Sequence, residues 1–189
     1  MICHARLFLI FVILGTFVPV ATAGQPMRML FDFNTPSSIN QWQIVNDGVM
    51  GGRSSSRVEH AGDGKMRFTG TLSLENNGGF ASVRSLASEL GLENGQVIVI
   101  RAKGDGRKYT FNLYIPGRRT AFSYQSEFET KAREWIEVRM PIDRFVATSF
   151  GRPVTGISLD PAQVSSIGIL LGDKKSGPFQ MEIDWIGVD

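Results

Sequence analysis

Beyond residue 23 the chain alternates apolar and polar side chains with a period of two, and this constrains its fold more than any other feature. Phe179, Met181, Ile183 and Trp185 alternate with Gln180, Glu182 and Asp184. Tyr109, Phe111, Leu113 and Ile115 alternate with Thr110, Asn112 and Tyr114, and Ile136, Val138 and Met140 with Glu137 and Arg139. Successive side chains of a strand point to opposite faces, so each run describes a strand with one face buried. Further strands are predicted over residues 29–33, 42–45, 66–74, 80–84, 97–102, 122–128 and 167–171. Clusters such as Asn76-Asn77-Gly78-Gly79, Gly104-Asp105-Gly106 and Pro116-Gly117 punctuate them as turns. Many short strands at this spacing point to an all-β sandwich or jelly roll. Helix is scarce. A turn or two is predicted over 85–90, and a single turn at Asp160-Pro161-Ala162-Gln163, where Asp caps, Pro opens and Gln closes a capping box. With no repeat or linker, residues 24–189 read as one domain.

The N-terminus reads as a cleavable signal peptide over residues 1–23. Arg6 precedes an uncharged apolar run over 7–20, and Ala21-Thr22-Ala23 carries the small residues of a cleavage site. A stable span needs about 20 apolar residues, and Gly15 and Pro19 interrupt this shorter run. The expectation is an exported protein, periplasmic or secreted, with no stable membrane span after cleavage. The single cysteine, Cys3, lies before the run, so residues 24–189 have none and a hydrophobic core must hold the fold without disulfides. A formal net charge of +2, with both signs interspersed, argues against nucleic acid as a partner.

Several chemistries are excluded. His60 is the only histidine after residue 23, in what reads as a polar turn, so zinc sites of His and Cys and Cys–His nucleophiles are out. There is no Gly-x-Ser-x-Gly elbow. The stretch 168–176 lacks the glycine and Lys-Ser spacing of a phosphate loop. Asp47, Glu75, Asp105 and Asp173 sit in or beside turns. Paired carboxylates hydrolyse glycosides and turn oxygens hold calcium, yet Asp beside Gly is ordinary turn chemistry. No catalytic residue, metal or cofactor is therefore expected.

The candidate binding residues lie in loops and on out-of-phase aromatics. Residues 46–56 form a glycine-rich polar segment with Asp47 and Arg53, either a ligand loop or a structured crossover whose glycines allow sharp turns. Asn76 and Asn77 precede Gly78-Gly79. If Phe80 points inward, period two turns Arg84 inward too, where it needs a carboxylate such as Asp47 or Asp105. Asp105 and Arg107 sit in a further hairpin. Trp42 and Trp185 fall in phase with the core. Trp135 shares its phase with Glu137 and Arg139, and Tyr114 is out of phase with Phe111 and Leu113. Exposed rings of this kind stack on sugars or fill a partner's pocket.

In order, Trp42, the run Asn46-Asp47-Gly48-Val49-Met50-Gly51-Gly52-Arg53-Ser54, Phe68-Thr69-Gly70 and Gly78-Gly79-Phe80-Ala81-Ser82-Val83-Arg84 form a pattern. It continues through Gly104-Asp105-Gly106-Arg107-Lys108-Tyr109, Trp135, Gly177-Pro178-Phe179 and Ile183-Asp184-Trp185-Ile186. This resembles the family named for complex I intermediate-associated protein 30, across nearly all of residues 24–189. The resemblance implies a galactose-binding-like jelly roll. For mitochondrial members it implies an assembly factor or chaperone of respiratory complex I. It also suggests that the loops 46–56, 76–79 and 104–107 gather near one end. Combined with the expected export, it directs the reading to a non-catalytic module binding a protein partner in the cell envelope, with a carbohydrate-binding module as the alternative.

Overall fold

The computed structural model describes residues 26–117 and 122–189, so the expected signal peptide over 1–23 lies outside the described residues. The strands are β1 (Arg28–Asp32), β2 (Trp42–Ile44), β3 (Ser55–His60), β4 (Met66–Leu72), β5 (Ala81–Ser85), β6 (Val97–Lys103) and β7 (Lys108–Tyr114). They continue with β8 (Phe122–Glu129), β9 (Trp135–Pro141), β10 (Val146–Ser149), β11 (Arg152–Pro153), β12 (Ser166–Leu171) and β13 (Gly177–Val188). Two antiparallel sheets form the sandwich expected from the alternation. One runs β3-β4-β13-β6-β9 with β1 also on β13; the other runs β11-β10-β8-β7-β12-β5-β2. Among the described residues no helix is long and apolar enough to cross a membrane.

The core lies where the two apolar faces meet. Met66, Phe68 and Leu72 of β4, Ile98, Ile100 and Ala102 of β6, and Phe179, Met181 and Ile183 of β13 face Tyr109, Phe111 and Leu113 of β7, Ile167, Ile169 and Leu171 of β12, and Ala81 and Val83 of β5. Trp42 closes one side as expected, 6% exposed, with its ring 5.0 Å from Phe31 and 5.9 Å from Phe33.

The last strand departs from its alternation. Ile183 pairs with Ala102, but the next pair is Trp185 with Arg101, so Asp184 is the extra residue of a β-bulge. A bulge inserts one residue and reverses the phase beyond it. Ile186 and Val188 consequently enter the core, and Trp185, expected there, is half-buried on the outer face. The bulge also lets Asp184 reach Arg101, 3.2 Å away.

Three strands escaped the sequence reading. β3 occupies part of the supposed loop and turn; it escaped notice because Val58 is the one apolar residue from Ser55 to His60. His60 ends this strand, its Nε2 2.9 Å from the Phe33 carbonyl, rather than sitting in a turn. β10 and β11 are short strands without apolar alternation, β11 forming one edge of its sheet and β10 pairing it to β8. Residues 86–90 form no helix; the Leu86 N–H donates to Gln41 and the Ser88 N–H to Ser165. The turn at Pro161–Gln163 is present, with Asp160 accepting from the Ala162 N–H at 3.2 Å and the Gln163 amide at 2.7 Å.

Candidate functional site

Asp47 organises one end of the sandwich. Although 0% exposed, its carboxylate accepts the Ser54 N–H at 2.9 Å, the Ser54 hydroxyl at 2.6 Å, the Gly79 N–H at 2.7 Å and the Phe80 N–H at 3.3 Å. Burial pushes its pKa up, but these donors outweigh that and hold it below the usual carboxylate range. The glycines around it serve close approach. A Cβ on Gly52 would lie 2.4 Å from the Asp47 carboxyl carbon, and one on Gly78 would lie 2.7 Å from Oδ2. The segment 46–56 is thus a structured crossover, pinned to the loop that follows β4.

That second loop carries Asn76 and Asn77, both left-handed at φ 54° and 59°, which Asn tolerates better than most residues. Arg53 reaches across to Glu75 at 2.9 Å, with both side chains 66% exposed. The two joined loops present Val49, Met50 and Leu74 to solvent, 74%, 49% and 46% exposed. These apolar side chains were absent from the sequence-based candidates. The available signal was an apolar pair, Val49-Met50, inside a polar glycine-rich stretch.

The β6–β7 connection reaches the same end through a third loop; it is not the expected hairpin, because β6 and β7 lie in different sheets and the loop crosses between them. Arg107 grips Asp173 with two nitrogens, at 3.0 and 2.6 Å, and also donates to the Pro178 and Lys175 carbonyls. Burial raises the Asp173 pKa, but Arg107 and the Lys175 N–H pull it below its ordinary value. Asp105 accepts from the Tyr109 hydroxyl, the Arg107 N–H and the Gln180 N–H. A Cβ on Gly172 would sit 3.6 Å from the Gly79 carbonyl, so the loop bearing Asp173 abuts the Asp47 cluster. Asp47, Arg53, Asn76, Asn77, Asp105 and Arg107 therefore share one end, as the resemblance suggested.

Arg84 is elsewhere, and the expected pairing with Asp47 or Asp105 is corrected. Ala81, Val83 and Ser85 face the core, so Arg84 points out from the seven-stranded sheet. The phase inferred from Phe80 is off by one, because Phe80 precedes the strand. Arg84 lies over Tyr114, its guanidinium carbon 4.6 Å from the ring centroid. Gly168, the register partner of Arg84 on the intervening strand β12, leaves room for the contact: a Cβ there would lie 3.1 Å from both side chains. The Arg84 Nε is buried without a hydrogen-bond partner among the described residues.

Trp135 faces outward as expected, at one end of a row crossing five strands. Glu59, Arg67, Glu182, Lys103 and Trp135 are successive register partners. Arg67 lies 3.3 Å from Glu59 and 3.1 Å from Glu182, and Lys103 lies 2.5 Å from Glu182. Lys103 and Arg101 sit 5.1 and 5.7 Å from the Trp135 ring centroid. Lys103 above all, with Arg67, holds the Glu182 pKa below its usual value against the opposing effect of burial.

Comparison with known proteins places these features. The family model of complex I intermediate-associated protein 30 matches residues 31–183. The mitochondrial complex I intermediate-associated protein 30 of Mus musculus is 29% identical over 85% of this chain and 56% of its own length. That of Drosophila melanogaster is 26% identical, covering 85% of this chain and 62% of its own. The chain thus spans little more than half the length of these curated relatives. A family 11 carbohydrate-binding module from Clostridium thermocellum, solved with a β-1,3-1,4-mixed-linked tetrasaccharide, superposes with a TM-score of 0.63. It is 18% identical and covers 86% of this chain and 94% of the module. At that identity the likeness speaks for the sandwich fold alone.

The relatives overturn the expectation of an exported, periplasmic or secreted protein, because they are mitochondrial. The apolar run over 7–20 reports local hydrophobicity, a property that does not by itself specify which targeting machinery reads it.

Proposed function

The chain belongs to the complex I intermediate-associated protein 30 family, and on that premise we propose that it is a non-catalytic module that binds a protein partner during complex I assembly. The contact surface is the loop end organised by Asp47. The observation that carries this reading is the exposure of Val49, Met50 and Leu74 on two loops locked together by a buried carboxylate. Apolar side chains held rigidly in solvent lose little conformational freedom on binding, which favours their use as contacts. The acids here support recognition rather than turnover. Asp47 is fully engaged by four donors, and Asp173 is held by Arg107.

The carbohydrate-binding alternative is less favoured on geometry. Sugar stacking needs a free aromatic face, yet of the two candidate rings Tyr114 is covered by Arg84 and Trp135 is flanked by Lys103 and Arg101.

The reading is tested by crosslinking the full chain in mitochondrial extract and quantifying captured complex I subunits. Val49→Asp/Met50→Asp is expected to reduce capture about tenfold or more, the loss of one or two good apolar contacts, with the thermal midpoint unchanged. Undiminished capture by this variant overturns the assignment of the surface. Saturable binding of a mixed-linked β-glucan tetrasaccharide, lost with Tyr114→Ala, would favour the glycan reading instead.

A further inference from the structure

The sheet edges are not equally protected. The seven-stranded sheet ends on one side in the two-residue β11 with Pro153, and on the other in the three-residue β2. In the other sheet, β1 is broken by a register shift between Met29 and Phe31, and β3 packs against β2 and the turn at Pro36–Gln41. Prolines, bulges, short strands and covering elements are the usual ways in which an edge is kept from pairing. β9 has no bulge, and its exposed charges, Glu137 and Arg139, are of opposite sign and so do not repel a second copy in a suitable register. It runs seven residues, pairs only with β6 among the described residues, and meets its single proline at the last position. Ile136 and Val138, which point between the sheets, are left half-buried at this edge.

We propose that β9 is a homodimer interface, pairing antiparallel with β9 of a second copy of this chain in the register that sets Val138 opposite Val138. The side chains select that register. Opposed residues of an antiparallel pair share a face, so a two-fold axis has to pass through a residue. An axis at Glu137 sets Glu137 against itself, and one at Arg139 sets two guanidinium groups together. An axis at Val138 sets Glu137 opposite Arg139 twice, on the outer face. It also brings Ile136 opposite Met140 on the inner face, covering the half-buried apolar edge. Glu137 is exposed and has no ion-pair partner among the described residues. Arg139 is steadied at the edge by Asp189. A two-fold contact of this kind is isologous and closed, so it yields a dimer rather than a growing sheet.

Sedimentation velocity of the full chain, in mild detergent to accommodate residues 7–20, tests the interface without reference to any other partner. The expected result is a concentration-dependent dimer. Glu137→Arg opposes two like charges twice and is expected to weaken it about tenfold or more, as is Arg139→Glu. The double variant Glu137→Arg/Arg139→Glu restores both pairs and is expected to recover the dimer, with thermal midpoints showing that every variant is folded. A chain that stays monomeric at the highest concentration reached, a dimer indifferent to Glu137→Arg, or a folded double variant that remains monomeric overturns the proposal.

Discussion

The Ser54 hydroxyl donates to the buried carboxylate of Asp47 at 2.6 Å, and the Ser73 N–H donates to that hydroxyl at 3.0 Å. A hydroxyl that both donates and accepts transmits the anchoring of Asp47 to the end of β4. Asp47→Asn keeps the size but places an amide group against donors, leaving backbone N–H groups unsatisfied. The expected loss is about 2–4 kcal/mol, on the scale of one or two buried groups without partners, measured by urea unfolding.

The pH dependence follows from the carboxylates. Asp47, Asp173 and Glu182 have folded-state pKa values below their ordinary ones. A depressed pKa contributes stability that is fully present above the unfolded value and is lost as pH falls through the folded one. Stability is therefore expected to hold at neutral pH and to decline below about pH 4, near the ordinary carboxylate values. Glu182→Gln is expected to flatten that decline, as read from the thermal midpoint across pH 2–7.

The two core-phase tryptophans are expected to behave differently. Trp42→Ala should cost about 3–5 kcal/mol, the range for a large buried aromatic. Trp185→Ala, on the outer side of the bulge, should cost distinctly less. Equal losses in denaturant unfolding would contradict the phase reversal at Asp184.

Arg53 and Arg107 provide a similar contrast. The Arg53–Glu75 pair is two-thirds exposed, so Arg53→Ala should change stability by less than about 1 kcal/mol. Arg107→Ala strands Asp173, whose side chain is 4% exposed, and should cost about 3–5 kcal/mol, the scale for breaking a buried pair. Thermal and urea unfolding of the two variants separates the outcomes.

The sandwich was legible in the sequence wherever alternation is local. Residues of β7 and β9 reveal their buried faces because period two is a property of each strand alone, whereas the continuous apolar runs of β6 and β12 announce a strand without saying which face is buried. The gathering of Asp47, Arg53, Asp105 and Arg107 was legible only through the order of motifs. The exposed tip of Val49, Met50 and Leu74 was not, since apolar residues in a loop do not announce which way they face.

What the amino-acid order determined by itself is the all-β class, the absence of disulfides beyond residue 23, the capped turn at Asp160 and the core position of Trp42. Only the tertiary structure decided the rest. The bulge at Asp184 arises from the joint register of β13 with β6 and β1, so no pattern within β13 could place Trp185 outside. Arg84 and Tyr114 meet because two strands far apart in sequence flank Gly168. Asp47 finds donors in the chain around residue 79 because the sandwich folds that loop back over it. Strand periodicity is written in neighbouring residues, whereas register and loop contact depend on which distant strands become neighbours.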